Sequence, residues 1–282
     1  MTNSFTLNDS SSLFGLFWNL NGVIADAFKI RFDADGVRVR ETVTHSDAST
    51  SVVDLLMRAA SFDAYDISAP FVVSFNWASL TRIFPVNISY VRKLVVTYDT
   101  ATQKLVFDFR EPGDNLARQT VFTFDAPLVA PADDTGPMLP LTPPDWESTV
   151  TLPAYDLTRY IRGIKWFGPT VDFATHVVAS SPSMTITSVA ANGDTCQQNA
   201  LQQVDYLFEI VQECTFSVPT AQVQSYAPDP APIGLATVYL GPSRGLFRIS
   251  YDVQATKTDP QTGVQETVSF GVVNCYINTA VV

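Results

Sequence analysis

Histidine and cysteine are scarce in this chain, with two His (His45, His176) and three Cys (Cys196, Cys214, Cys275) among 282 residues. Neither histidine stands in an HExxH motif or beside a Cys/Glu set at metal-ligand spacing, which argues against metal hydrolysis. An odd cysteine count with no CxxC gives neither a complete disulfide framework nor a zinc knuckle, so the thiols read as reduced, buried small hydrophobes. The dinucleotide GxGxxG and the P-loop GxxxxGK[ST] are missing too. Apolar runs are short. Val72-Val73 and Gly271-Val272-Val273 fall far below the roughly 20 residues of a membrane helix, and MTNSFTLNDSSS has neither a basic nor an apolar leader region. The expectation is an intracellular chain that is not an enzyme, carries no cofactor or metal and has no membrane contact. Asp33-Ala34-Asp35 and Asp133-Asp134 are dense acidic spots, but turns use aspartate for backbone hydrogen bonding far more often than for cations.

Charge is sparse, 16% of residues, and lopsided, with 17 Lys+Arg against 28 Asp+Glu for a formal net charge of −11. Apolar material is plentiful. With 46% hydrophobic residues the chain can fill a core and is far from disordered compositions. At about 150 residues per domain, the length favours two domains or one large one.

Strand signals dominate: Phe28 to Phe32, Val37 to Arg40, Ser51 to Met57, Phe71 to Phe75, Lys93 to Tyr98, Lys104 to Phe109 and Thr120 to Phe124. Ala34-Asp35-Gly36 turns the first pair into a hairpin, and Asp99 to Gln103 joins another. Four helical windows appear. Phe14 to Ala27 and Asn76 to Phe84 have apolar residues at helical spacing; Pro153 to Phe167 starts at a proline and stops at Gly168-Pro169; Pro219 to Tyr226 is the shortest. Pro127, Pro131, Pro137, Pro140, Pro143 and Pro144 stiffen the stretch between strands into an extended connector. This places an N-terminal domain at 1–125, a connector at 126–148 and a C-terminal domain at 149–282. Each side of the connector reads strand, short helix, strand, hairpin, strand, an internal repeat with little residue identity.

Several of these segments carry a resemblance. They are the hairpin Ala34-Asp35-Gly36-Val37, Ser61-Phe62-Asp63-Ala64-Tyr65 before a strand, and Phe75-Asn76-Trp77-Ala78-Ser79-Leu80-Thr81-Arg82-Ile83-Phe84. Lys104-Leu105-Val106-Phe107, Leu152-Pro153, and Arg159 with Arg162 complete the set. In order and spacing, from about Phe14 to Ile277, the chain resembles the DNA sliding clamps of the proliferating cell nuclear antigen family, as a diverged member that includes a viral one. The resemblance implies an α+β clamp fold of two similar domains, each with antiparallel sheets outside and two helices inside, closing as a homotrimer ring around duplex DNA. It also implies a processivity factor that tethers DNA polymerase and other proteins through clamp-interacting peptide motifs, is placed on DNA by a clamp loader and works at a nuclear or cytoplasmic replication site.

Carried onto this sequence, the resemblance gives DNA-binding residues Arg82, Arg159, Arg162 and Lys165. The last three recur every three residues as one basic stripe opposite Leu157, Ile161 and Ile164. It assigns a partner groove to Leu139, Leu141, Leu246, Phe247, Phe270 and Val273, and a subunit interface to Arg118, Gln119 and Val121 on one edge strand and Thr195 and Gln197 on another. The Phe14 to Ala27 and Pro219 to Tyr226 windows carry no Lys or Arg, so phosphate contacts fall to the other two helices. Two further readings stand beside the clamp: a clamp-fold scaffold, of checkpoint or viral transcription and replication type, that does not encircle DNA; and a β-rich structural protein such as a capsid jelly roll.

Overall fold

The computed structural model describes residues 3–10, 13, 27–45, 48, 50–76, 78–79, 93–111, 115–130, 146–164, 167–227, 234–258 and 265–278. They form two compact units that are not contiguous stretches of chain. One comprises Met1–Glu41, Asp54–Gly136 and Val253–Val272, the other Thr42–Val53, Pro137–Asp252 and Val273–Val282. The helical windows Phe14 to Ala27 and Asn76 to Phe84 lie mostly outside the described residues. Of the second, Ala78 and Ser79 are helical.

The first unit contains β1 (Asn3–Leu7), β2 (Ala27–Asp33), β5 (Ala64–Asp66), β6 (Phe71–Asn76), β7 (Lys93–Asp99), β8 (Lys104–Glu111) and β9 (Asn115–Asp125). It also takes most of β3 (Gly36–Thr44) and β4 (Thr50–Arg58), and parts of β17 (Leu246–Thr258) and β18 (Gln265–Asn278). A five-stranded antiparallel sheet runs β5-β1-β7-β8-β9, and a second run of strands goes β18-β4-β3-β2-β6. Alternation makes both possible. In β2 the apolar Phe28, Ile30 and Phe32 are buried while Lys29, Arg31 and Asp33 take the other face. Aromatic rings fill the space between. Phe5 packs on Phe62 at 4.7 Å, Phe32 on Phe71 at 4.7 Å and Phe71 on Tyr98 at 4.8 Å, while Phe75, Phe107 and Phe124 meet edge to face or tilted. The β7–β8 turn is closed by Asp99, whose carboxylate accepts from the Ala101 amide at 2.9 Å and the Thr102 hydroxyl at 2.7 Å. The Thr102 hydrogen bond, with the amides behind it, pulls the Asp99 carboxyl below its ordinary value.

The second unit carries β10 (Ser148–Pro153), α1 (Ala154–Ile164), β11 (Thr170–Val178), β12 (Ser181–Val189), β13 (Thr195–Leu201), β14 (Leu207–Ile210), β15 (Thr215–Pro219), α2 (Thr220–Ser225) and β16 (Gly234–Gly241). A four-stranded sheet runs β13-β12-β11-β15, and a second run goes β14-β10-β16-β17. Helix α1 packs on β10, β12, β13 and β16. Leu157, Ile161 and Ile164 are fully buried there, and Arg159 and Gly163 take the exposed side. After the connector the element order β15, α2, β16, β17, β18 repeats that of β6, the helical residues 78–79, β7, β8, β9. No helix among the described residues is long and apolar enough to cross a membrane.

Candidate functional site

The basic helix face is built by α1. Arg159 points outward, but its guanidinium lies 3.0 Å from the Asp156 carboxylate one turn earlier. The second oxygen of Asp156 accepts from the Tyr206 hydroxyl at 2.9 Å, and Tyr206 in turn shares a hydrogen bond with Tyr160 at 3.0 Å. Burial, then the hydrogen bonds to Tyr160 and Asp156, push the Tyr206 phenol far above its ordinary range. Arg159 also lies over the Tyr160 ring, 5.2 Å from its centroid. Its charge is therefore paired with Asp156 while the side chain stays open to solvent. Arg162 is half-buried on the same helix, and Arg82 and Lys165 lie outside the described residues.

The expected groove does not assemble from its described members. Phe247 is 0% exposed, packed between Phe173 at 4.8 Å and Phe216 at 5.6 Å in the core of the second unit. Phe270 is buried against Phe62 at 5.8 Å in the first unit, and Val273 is buried as well. These apolar surfaces are already covered, so no peptide reaches them. Leu246 is half-buried, and Leu139 and Leu141 lie outside the described residues.

The face of β16–β18 that points away from this core holds a different cluster. Because Val238, Leu240, Phe247, Ile249, Cys275 and Ile277 are buried, the pleat puts Tyr239, Arg248 and Tyr276 on the opposite face, where all three are half-buried. The Arg248 guanidinium carbon sits 3.6 Å from the Tyr239 ring centroid, 5.3 Å from Trp146 and 5.7 Å from Tyr276. Trp146 lies over Gly241, where an added Cβ would meet its ring at 3.1 Å. Period-two parity in LFRISY and NCYIN was the signal for this cluster. It separates Phe247 from Arg248, and Cys275 from Tyr276.

Two of the strands that end sheets carry the residues assigned to the subunit interface. Strand β9 ends the five-stranded sheet of the first unit, with Val121 51% exposed and Gln119 exposed; Arg118 lies in the same strand. Strand β13 ends the four-stranded sheet of the second unit, with Thr195 and Gln197 exposed. Both edge strands picked out by sequence are sheet edges in the fold.

Two arrangements look catalytic at first and are not built for it. Gly241-Pro242-Ser243-Arg244-Gly245 has GxSxG spacing. It forms a 3-10 turn joining β16 to β17, not the strand-to-helix elbow that exposes a nucleophile. His45 and Ser51 are hydrogen-bonded at 2.6 Å, but both are buried, with the Tyr226 hydroxyl against Ser51, so substrate has no access. Burial also drives the Cys275 thiol well above its usual value, which removes thiolate character. Among the described residues no three His, Cys, Asp or Glu side chains converge as a metal set.

No family model matches the sequence, and no curated protein matches it. Solved structures do: the proliferating cellular nuclear antigen of Entamoeba histolytica superposes with a TM-score of 0.74 at 13% identity, over 98% of this chain and 98% of that one. A likeness that spans both chains almost end to end replaces the jelly-roll reading with an α+β architecture similar to a clamp subunit. The chain thus has the fold of a proliferating cell nuclear antigen, reached through a sequence that shares few of its residues.

Proposed function

We propose that this protein is a non-catalytic, ring-forming clamp whose subunits join head to tail around duplex DNA and tether replication proteins inside the cell. The observation that carries the reading is the pair of open edges. β9 ends a sheet in one compact unit and β13 ends a sheet in the other, so among the described residues each subunit offers two different strand edges at these places. Non-identical ends close a ring through a heterologous interface, and backbone pairing between edge strands is a ready way to make it. A closed ring needs only weak DNA contacts, which suits an acidic chain with few cations on its helices. The aromatic–arginine face of Trp146, Tyr239, Arg248 and Tyr276 is the client-docking surface in this reading. Trp, Tyr and Arg are the residues that dominate binding energy at interfaces. DNA polymerase and a clamp loader are the client classes it would serve.

The Asp156–Arg159 pair favours a second reading, a clamp-fold scaffold that does not encircle DNA, because that carboxylate takes up charge a phosphate would otherwise meet. Light scattering after size exclusion, followed by retention on circular against linear DNA, separates the two. A trimer held by closed circles and lost from linear ends supports the first. A trimer indifferent to DNA topology supports the second. A monomer at micromolar concentration overturns the ring.

A further inference from the structure

The strongest feature that neither reading uses lies in the first unit, on the face of β2, β3 and β4 opposite the core. Pleat alternation sends Val37, Val39, Val53, Leu55 and Met57 inward and places Lys29, Arg31, Arg38, Arg40 and Arg58 on the other side, with Asp33 and Asp54. Among the described residues of this face five cations stand with two carboxylates, and Glu41 feels the charge of Lys29, in a chain whose net charge is −11. The register makes the crowding specific. Arg31 stands directly opposite Arg38 across the β2–β3 ladder, an arrangement that like charges disfavour, and Lys29 and Arg40 each lie two residues farther along their own strands. Arg38 and Arg40 both approach one oxygen of Asp54, at 3.6 and 3.1 Å, so a single carboxylate serves two guanidiniums. Arg31 is held by Asp33 at 3.2 Å. The Nε of Arg38 is buried without a hydrogen-bond acceptor, its distance to Asp54 being too long for one.

We infer that the Lys29–Arg31–Arg38–Arg40 face docks an extended acidic segment of another protein, with Asp or Glu at alternate positions. Cations two residues apart on a strand repeat at about 6.8 Å, the same repeat as alternate side chains of an extended peptide, and neighbouring strands offer a second row about 4.8 Å away. Guanidinium forks match carboxylates bidentately. Asp33 and Asp54, interleaved with the cations, would oppose the unbroken charge of a nucleic-acid backbone, whereas a peptide can place neutral residues against them. Binding there does not depend on ring closure.

The test uses the full-length protein and fluorescence anisotropy with three labelled probes of equal charge: an alternating Glu-Ser peptide, a block peptide with all Glu then all Ser, and an oligothymidylate. The alternating peptide is expected to bind best, to weaken with salt, and to lose about tenfold or more in affinity on Arg31→Glu with Arg38→Glu. Arg159→Ala should leave its affinity unchanged. A circular dichroism melt checks that the double variant folds; Arg31→Gln with Arg38→Gln serves if it does not. Equal or tighter binding of the block peptide or oligothymidylate, no binding of the alternating peptide, or binding that survives loss of both arginines, overturns the inference.

Discussion

A Cβ placed on Gly36 would stand 1.9 Å from the carbonyl oxygen of Met57, and the glycine itself has φ +141°. Both the backbone conformation and the space exclude a side chain, because this glycine ends the Asp33–Gly36 turn where β3 passes close to β4. Gly36→Ala should therefore destabilise the protein by about 3 kcal/mol or more. Gly193 is the control, with φ +87° and nothing within 4 Å of an added Cβ. Gly193→Ala should cost only about 1 kcal/mol, from backbone conformation alone. Urea unfolding of the two variants reads the difference directly.

The β11–β12 hairpin pairs Val178 with Ser181 around Ala179 and Ser180, whose φ values are +50° and +66°. Two left-handed residues in a two-residue turn are the pattern that Asn-Gly satisfies without strain, and Ala and Ser do not. Replacing the pair by Asn-Gly should stabilise the fold by about 1 kcal/mol. An unchanged or lower melting temperature would show that the turn is not strained as described.

Phe247 and Tyr276 should respond in opposite ways. Phe247→Ala removes a ring from between Phe173 and Phe216 and is expected to lose about 3 to 5 kcal/mol of stability, seen as a lower urea midpoint. Tyr276→Ala opens the half-buried face around Arg248 and should leave the midpoint within about 1 kcal/mol while weakening client peptides. If Phe247→Ala unfolds no more easily than the parent, the core placement of that ring is wrong.

Glu41 gives a pH signature. Burial raises its carboxyl above the ordinary 4.5, only partly offset by the Lys29 amide that donates to it at 2.8 Å and by the Lys29 charge. A carboxyl whose folded value lies above its unfolded one contributes stability that is complete below 4.5 and is lost as pH rises through the folded value. Glu41→Gln keeps an acceptor for the amide and carries no charge. The variant should therefore gain stability relative to the parent as pH climbs from 4.5 toward neutrality, measured as the gap between their urea midpoints. A gap that shrinks or reverses over that range would contradict a raised carboxyl.

Much of the fold was legible because alternation and helical spacing record burial directly. The window Pro153 to Phe167 contains α1 at Ala154–Ile164, since Leu157, Ile161 and Ile164 had to share a face. Strand β1 was not foreseen. NSFTL buries Phe5 and Leu7, but its Asn, Ser and Thr read as loop, and only pairing with β5 and β7 makes it a strand. For the groove residues parity decides exposure: Phe247 is apolar and near the C-terminal strands, but only the pleat tells that it faces the core and Arg248 the other side. The Asp156–Tyr206 link was beyond the sequence, joining residues that pair only through tertiary packing.

Strand β13, Thr-Cys-Gln-Gln-Asn-Ala-Leu, has no charge and no proline along its open edge. Natural proteins guard such edges with lysine, proline or bulges, because an uncharged Gln- and Asn-bearing strand is a template for stacking copies of itself. In the proposed ring this edge would be covered by a neighbouring subunit, and a free chain would be in a race between that capture and self-stacking into fibres. Synthesis rate and dilution would set the winner, with insoluble material expected to start through these seven residues.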